Sequence, residues 1–365
     1  MRTGVNWSDF MSCPPSNKSQ AGAALVIALL VFAIAATLMV GVQRDFNLQL
    51  QRSTNTFFAE QGWSFLLGAE TLAELALRFD ADEDAKQDAP LDSLQEMWAQ
   101  PQAPYPLDGI GFLRGDIYDL QGRFNINGLV EVVNQARDPN TPLGAAPADV
   151  GERDGETQRL NAEQRVLLRL LLSIEKAELS RAEATRLVER MTDFIDADRS
   201  PRMDGAENEV YLSSAFPYRA PNRPIASVSE VRAVDGMTPD LYRLIAPFLT
   251  VWPTDGGKIN ILTAPPELLA ALSGDDAFEP LSGQQVARIV ELRNEGMITD
   301  VDSFIEDPLF TNATTTDLRK MIGVKSDWFL LDARVEIADR ERRLYSVLHR
   351  QGRAVSVVHR TEGEL

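Results

Sequence analysis

The sequence is poor in the residues that most often carry chemistry. Among 365 residues there is one cysteine, Cys13, and two histidines, His349 and His359. A lone cysteine excludes an intramolecular disulfide, so an exported domain would need a metal or a well-packed core to hold it. Basic residues are also short: 36 Lys and Arg stand against 54 Asp and Glu, a net charge of -18. That deficit argues against nucleic acid as a partner, because phosphates require clustered cations. It leaves many carboxylates available for cations or basic partners. No long low-complexity tract occurs, and 44% hydrophobic with 25% charged residues is the composition of a folded protein. The length suits two domains, or one domain with a large insertion.

What the chain does have begins near its N-terminus. Between Lys18 and Arg44 no residue is charged, and the run Ala21–Val42 is long enough to cross a hydrocarbon core as a helix. A secretory signal peptide has a shorter apolar region, although Ala33-Ile34-Ala35 imitates its cleavage site. No proline occurs from Asp45 to Asp88, and Trp63, Leu66, Leu67, Leu72, Leu75, Ala76 and Phe79 recur at helical spacing. One helix is predicted from about Ala23 to Phe79, with a weak point near Ser53–Asn55. Gly22, after a polar leader with Lys18 and before the apolar run, resembles the cleavage site of type IV prepilins and pseudopilins. That resemblance implies a dedicated prepilin peptidase and a mature chain starting at Ala23. Most such proteins carry glutamate at the fifth mature position, where this chain has Ile27. A carboxylate inside a bilayer is costly unless a neighbour pairs with it. An apolar Ile27 therefore suits a subunit with no neighbour ahead of it.

Farther on, Asp80–Pro106 reads as an acidic, proline-rich loop with a short helix around Leu91–Trp98. Gly111–Asn127 predicts two short strands about a Gln121-Gly122 turn. Residues 131–160 form a linker rich in Pro, Gly, Asp and Ala, and residues 161–325 carry short helical patterns. Residues 326–365 alternate with period two and turn at Gln351-Gly352. Strands before and after a helical block predict one sheet with an all-helical domain inserted into it. Thr263 is expected to cap a helix starting at Pro265-Pro266. Lys258–Leu272 and the following helix resemble helix-hairpin-helix units, with a partial echo upstream. Acids occupy the expected hairpin, Ser273–Gly283, where phosphate would sit.

The densest constellation is Asp193–Tyr211. From Asp196, acids fall at positions one, three, nine and twelve (Asp196, Asp198, Asp204 and Glu207), with Ser200 at five. That nearly reproduces an EF-hand loop, but Pro201 stands at position six, where a positive φ is required. The residues leave two readings open. One is a calcium loop of another geometry, since hard oxygen ligands suit Ca²⁺ and no His or Cys is near. The other is a solvated acidic turn paired with Arg199 and Arg202.

The order of Gly22 with a non-acidic fifth residue, DLQGRFNIN, DFIDAD…GAENEVY, INILTAPPELLAAL and the last strands resembles the K-type minor pseudopilins of type II secretion systems. The resemblance covers nearly the whole mature chain. It implies an α+β fold: a long N-terminal transmembrane helix, a pilin-like antiparallel sheet head and a large inserted helical domain of helix-hairpin-helix or SAM-like type. The boundaries implied are 1–22 for the leader, 23–43 for the membrane segment, 44–130 for the pilin-like helix and first strands, and 161–325 for the insertion. It also implies a non-catalytic tip subunit in the inner membrane with its C-terminal domain in the periplasm. I-type and J-type minor pseudopilins are the implied partners. Calcium is associated with the family's helical domain, which points to Asp196, Asp198, Glu207 and Glu209 as ligands. Asn208 follows, with Asp193 and Asp204 behind. The rivals are an exported DNA-uptake or DNA-binding protein and a membrane-anchored cell-wall hydrolase using Asp196 with Glu207.

Overall fold

The computed structural model describes residues 20–86, 89–130, 159–311, 313–338 and 340–363. Most of the leader and nearly all of the linker thus lie outside the described residues. Two compact units divide the chain between Gln61 and Gly62, and helix α1 (Gln20–Asp84) contributes to both. In the first unit the side chains from Leu25 to Val42 are exposed. The mean hydropathy of the most apolar window is 2.9, so water is a poor solvent for this stretch. The helix is longer than predicted at both ends and runs through Ser53–Asn55 without a break. Single polar and β-branched residues there cost too little helix propensity to interrupt it.

In the second unit, α1 buries Leu66, Ala69, Glu70, Ala73 and Leu77, a stripe spaced by three and four residues. This corrects the apolar face read from the sequence, because Leu72 and Phe79 are 62% and 61% exposed. The small Ala69 and Ala73 allow the helix to approach its neighbour closely. Glu70 is drawn inward by Arg360, which donates to both carboxylate oxygens at 2.7 Å, and by Ser346 Oγ at 2.7 Å. The helix predicted around Leu91–Trp98 is only a single 3₁₀ turn, Met97–Ala99.

The chain continues through β1 (Tyr105–Leu107) and β2 (Gly111–Asp119). It then enters a helical block through β3 (Phe124–Asn125), α2 (Ala162–Ser173), α3 (Arg181–Ile195), α4 (Asn208–Leu212) and α5 (Pro239–Ile245). Next come β4 (Leu249–Thr250), β5 (Ile259–Asn260), α6 (Pro266–Ala271), α7 (Gly283–Asn294), α8 (Val301–Ile305), α9 (Thr316–Met321) and β6 (Ile322–Gly323). Three long strands finish the chain: β7 (Trp328–Ile337), β8 (Arg340–Gln351) and β9 (Ala354–Thr361).

The main sheet is antiparallel in the order β1-β2-β7-β8-β9. Strands β2 and β7 are neighbours, with Asp119 opposite Phe329. The helical block therefore replaces the hairpin loop of two adjacent strands, leaving after Asp119 and returning at Trp328. This corrects the hairpin expected about Gln121-Gly122: β3 pairs in parallel with β4, not with β2. Along β7, Phe329, Leu331, Ala333, Val335 and Ile337 are buried, as the period-two pattern requires. Leu331 lines a cavity beside Ala69 and Ala73, which sets this face toward α1. The opposite face meets the helical block, where Trp252 stacks on Trp328 with centroids 5.4 Å apart and Trp328 stacks on His349 at 4.1 Å.

The exit and re-entry of the chain converge on one buried carboxylate. Asp119 accepts from Gln121 N at 2.7 Å, Ser326 Oγ at 2.6 Å, Thr263 Oγ1 at 2.5 Å and Asn260 Nδ2 at 3.1 Å. Thr263 is thus no helix cap; Pro265 takes that position without a side-chain hydrogen bond. The hairpin before α7 is also used internally. Arg169 donates to the carbonyls of Ala271, Gly274 and Ala277, while Asp275 accepts from the Asp317 and Leu318 amides at the start of α9. A Cβ on Gly274 would stand 2.6 Å from that of Ala313, so glycine is needed there for packing.

Replacing Asp119 by Ala would strand donors from both crossings of the junction. We expect a loss of about 3 kcal/mol or more, read as a lower melting temperature in thermal denaturation. A change below about 0.5 kcal/mol would contradict the junction role.

Candidate metal centre

The acidic segment is built on the end of α3. Ser180 and Glu183 form a capping box at its start, and its amphipathic face buries Leu187, Val188, Met191, Phe194 and Ile195. That burial fixes the last turn, which carries Asp193 and Asp196. Both carboxylates therefore sit at the negative end of the helix dipole, where anions are disfavoured. Asp196 is the C-cap, extended at φ -72° and ψ 162°, and it turns the chain back. The returning loop packs tightly: a Cβ on Gly205 would fall 1.9 Å from Asp193 Oδ2. Arg202 N donates to that same oxygen at 3.0 Å.

The structure brings carboxylate oxygens of Asp196, Asp198 and Glu207 within 4.8 Å of one another. Asp196 and Glu207 are only 6% and 5% exposed, whereas Asp198 is exposed. Asp196 Oδ1, Glu207 Oε1 and Asp193 Oδ1 are buried without a hydrogen-bond partner. Arg202 is the nearby cation, 3.3 Å from Asp193 Oδ1 and 3.6 Å from Asp196 Oδ2. No ion pair of Arg199 is found among the described residues. Burial is the main force pushing Asp196 up to about 7, aided by the charges of Asp198 and Asp193. Burial likewise raises Asp193 to about 6, against the hydrogen bond from the Arg202 amide.

The other sequence-derived candidates lie differently. Asn208 Oδ1 accepts from Ala220 N at 3.1 Å, and Glu209 is exposed on α4, outside the three-carboxylate group. Asp204 is paired with Arg159 at 2.6 Å. Asn222 escaped the sequence reading. Its Nδ2 donates to Asp198 O at 2.5 Å and lies 3.4 Å from Glu207 Oε2, on a backbone with φ 45°. Its only signal was an asparagine within a proline-bounded loop, where left-handed backbone is tolerated. Gly22 and Ile27 lie in the exposed apolar part of α1, as does Ala23.

A second acidic group, Asp80, Asp92 and Glu96, provides a control. There Arg350 pairs with both Asp80 and Asp92, Ser326 N donates to Asp92 at 2.8 Å, and Trp98 Nε1 donates to Glu96 at 2.6 Å. Burial and the Asp80 charge push Glu96 up to about 8. Its oxygens are served by protein donors, whereas the Asp196 group keeps buried oxygens unserved. Three hard carboxylates, two of them with an orphaned buried oxygen, and one nearby guanidinium fit a divalent cation that prefers oxygen.

The fold has a counterpart among solved structures. A solved GspK-GspI-GspJ complex of the type 2 secretion system from enterotoxigenic Escherichia coli contains a chain matched with a TM-score of 0.63. The match has 24% identity and covers 86% of this chain and 100% of that one. Family models described as type II secretion system (T2SS), protein K, match residues 122–254 and 259–325, more than half of the chain. Among relatives, the type II secretion system protein K of Pseudomonas aeruginosa is 32% identical, over 91% of this chain and 90% of its own length. That of Pectobacterium carotovorum is 29% identical, over 94% and 97%. The chain belongs to the type II secretion system protein K family.

The raised acids give a pH dependence of definite sign. Folded, metal-free protein holds protons on Asp193 and Asp196 that the unfolded chain releases near its ordinary aspartate value of ~3.9. Their contribution to stability is fullest below that value and is lost as pH rises through 6 and 7. In a chelator, the melting temperature should drop between about pH 4 and pH 7, and the drop should shrink in Asp196→Asn. An equal drop in the variant would assign the effect to other acids such as Glu96.

Proposed function

We propose that this chain is a non-catalytic minor pseudopilin at the tip of the type II secretion pseudopilus, where it initiates or caps the filament. The apolar part of α1 anchors it in the inner membrane, and the domain that follows stands in the periplasm. I-type and J-type minor pseudopilins are its partners, in keeping with the composition of the related solved complex. The observation that carries the reading is Ile27: the helix start of this protein K family member has no carboxylate to pair with a preceding subunit. Mixing the full chain in detergent with I-type and J-type pseudopilins should give a stable ternary complex. Failure of all pairwise and ternary association would overturn the assembly role.

Cleavage after Gly22 by a prepilin peptidase belongs to the same reading. Gly22→Trp should leave the leader attached in cells that process the wild-type chain. Intact-mass analysis showing Ala23 as the N-terminus of that variant would refute the site.

Asp196, Asp198 and Glu207 are the residues suited to hold Ca²⁺, and the ion would supply the positive charge that Arg202 alone does not. Its role is structural, joining the end of α3 to the start of α4 in a chain with no disulfide. Calcium at about one hundred times its dissociation constant should stabilise the full chain by about 2.7 kcal/mol. That corresponds to a melting shift of roughly 5 °C, which Asp196→Ala with Asp198→Ala should abolish. Identical melting with and without the ion would remove calcium from the reading while leaving the family assignment intact.

A further inference from the structure

The sheet face turned away from α1 carries a basic cavity in an otherwise acidic protein. Leu330, Asp332 and Arg334 alternate along β7 on that face, with Tyr345 opposite Asp332 and Arg343 opposite Arg334 on β8. Between this patch and the loop around Trp252 lies a cavity of about 430 Å³. Its lining holds three guanidinium groups, from Arg123, Arg334 and Arg343, and a single carboxylate, Asp332.

The three arginines differ in how they are used. Arg334 and Arg343 both direct their forks at Asp332, with closest approaches of 2.9 and 2.5 Å, and Arg343 also lies 4.3 Å over the Tyr345 ring. Arg123 has no hydrogen bond or ion pair from its side chain among the described residues. The charge that acts most on it is that of Asp119, whose oxygens already accept four hydrogen bonds. Arg123 is half-buried, and its unpaired guanidinium remains open to the cavity. Trp252, another lining residue, has a buried indole Nε1 with no hydrogen-bond partner. The remaining walls are aromatic and aliphatic, with Tyr118, Tyr242 and Leu249 among them.

We propose that this cavity binds a peptide segment through one carboxylate, with Arg123 as its anchoring cation and the aromatic walls holding an adjacent apolar side chain. A guanidinium fork matches a carboxylate in shape and charge, and rings beside it supply apolar area. The net charge of -18 repels extended polyanions, which restricts the ligand to a locally anionic group on an apolar body. The carboxylate comes either from a chain terminus or from an acidic side chain.

Isothermal titration of the full chain in detergent separates these sources. N-acetylphenylalanine presents a terminal carboxylate, N-acetyl-aspartyl-phenylalaninamide a side-chain one, and N-acetylphenylalaninamide neither. At least one of the first two should saturate with a Kd below about 1 mM, while the neutral amide should not bind. Binding of only one identifies the carboxylate's source, and binding of both supports the pocket for either. Arg123→Gln should weaken binding at least about tenfold. The exposed Arg334→Gln should weaken it several-fold and decides the matter if the first variant fails to fold. No saturable binding to the wild-type chain, unchanged affinity in the folded variants, or equal displacement by equimolar inorganic phosphate would overturn the assignment.

Discussion

Everything downstream of β2 depends on the polar junction around Asp119. A helical block can replace the loop between two adjacent strands only if both crossings are fixed at the same end of the sheet. Here the backbone leaves β2 beside Asp119 and returns to β7 through Ser326, and both crossings donate to one carboxylate. Asn260 Nδ2 joins that carboxylate to the Asp92 carbonyl at 2.9 Å, and Asp92 is in turn paired with Arg350 on β8. The same arginine reaches Asp80 near the end of α1 at 2.6 Å. One continuous network thus ties helix, sheet and insertion together. Buried ionic groups of this kind are costly unless every member is satisfied, so the network constrains which arrangement of the three parts is stable.

The two acidic groups show how similar composition serves different ends. Asp80, Asp92 and Glu96 have a resident cation in Arg350 and donors for their oxygens. Asp196, Asp198 and Glu207 lie where a helix ends with its dipole pointing the wrong way, and two of their oxygens face no donor. Proximity of carboxylates alone does not separate the two cases. The satisfaction of each oxygen does.

Much of this was legible in the sequence because it rests on local periodicity. The apolar run of α1, the helix Arg181–Ile195 and the alternating strands β7 to β9 need only neighbouring residues to be recognised. The acidic segment was visible as a charge cluster, and three of its proposed ligands do meet. What was not legible depends on partners far away in the chain. Glu70 becomes buried only because Arg360 waits 290 residues later, so the buried stripe of α1 could not be told from its exposed apolar one. Thr263 resembled a local cap, yet its hydroxyl is claimed by Asp119, 144 residues earlier. Asn222 joined the site through loop closure rather than through any pattern.

The charge excess also has a structural logic. Of the 36 basic residues, 30 are arginine, and many are spent inside the fold: Arg169 on three carbonyls, Arg350 on two aspartates, Arg360 on Glu70 and Arg159 on Glu189. A planar fork keeps its charge when buried and can satisfy two acceptors at once, which lysine does not match. Using cations internally leaves the unpaired carboxylates to dominate the exterior field, and it adds to the case that the hairpin before α7 is a packing joint rather than a phosphate clamp. Against that pattern Arg123 is anomalous. It is half-buried at the cavity wall and lacks the acceptors they have, so its fork stays available to an anion from outside the chain.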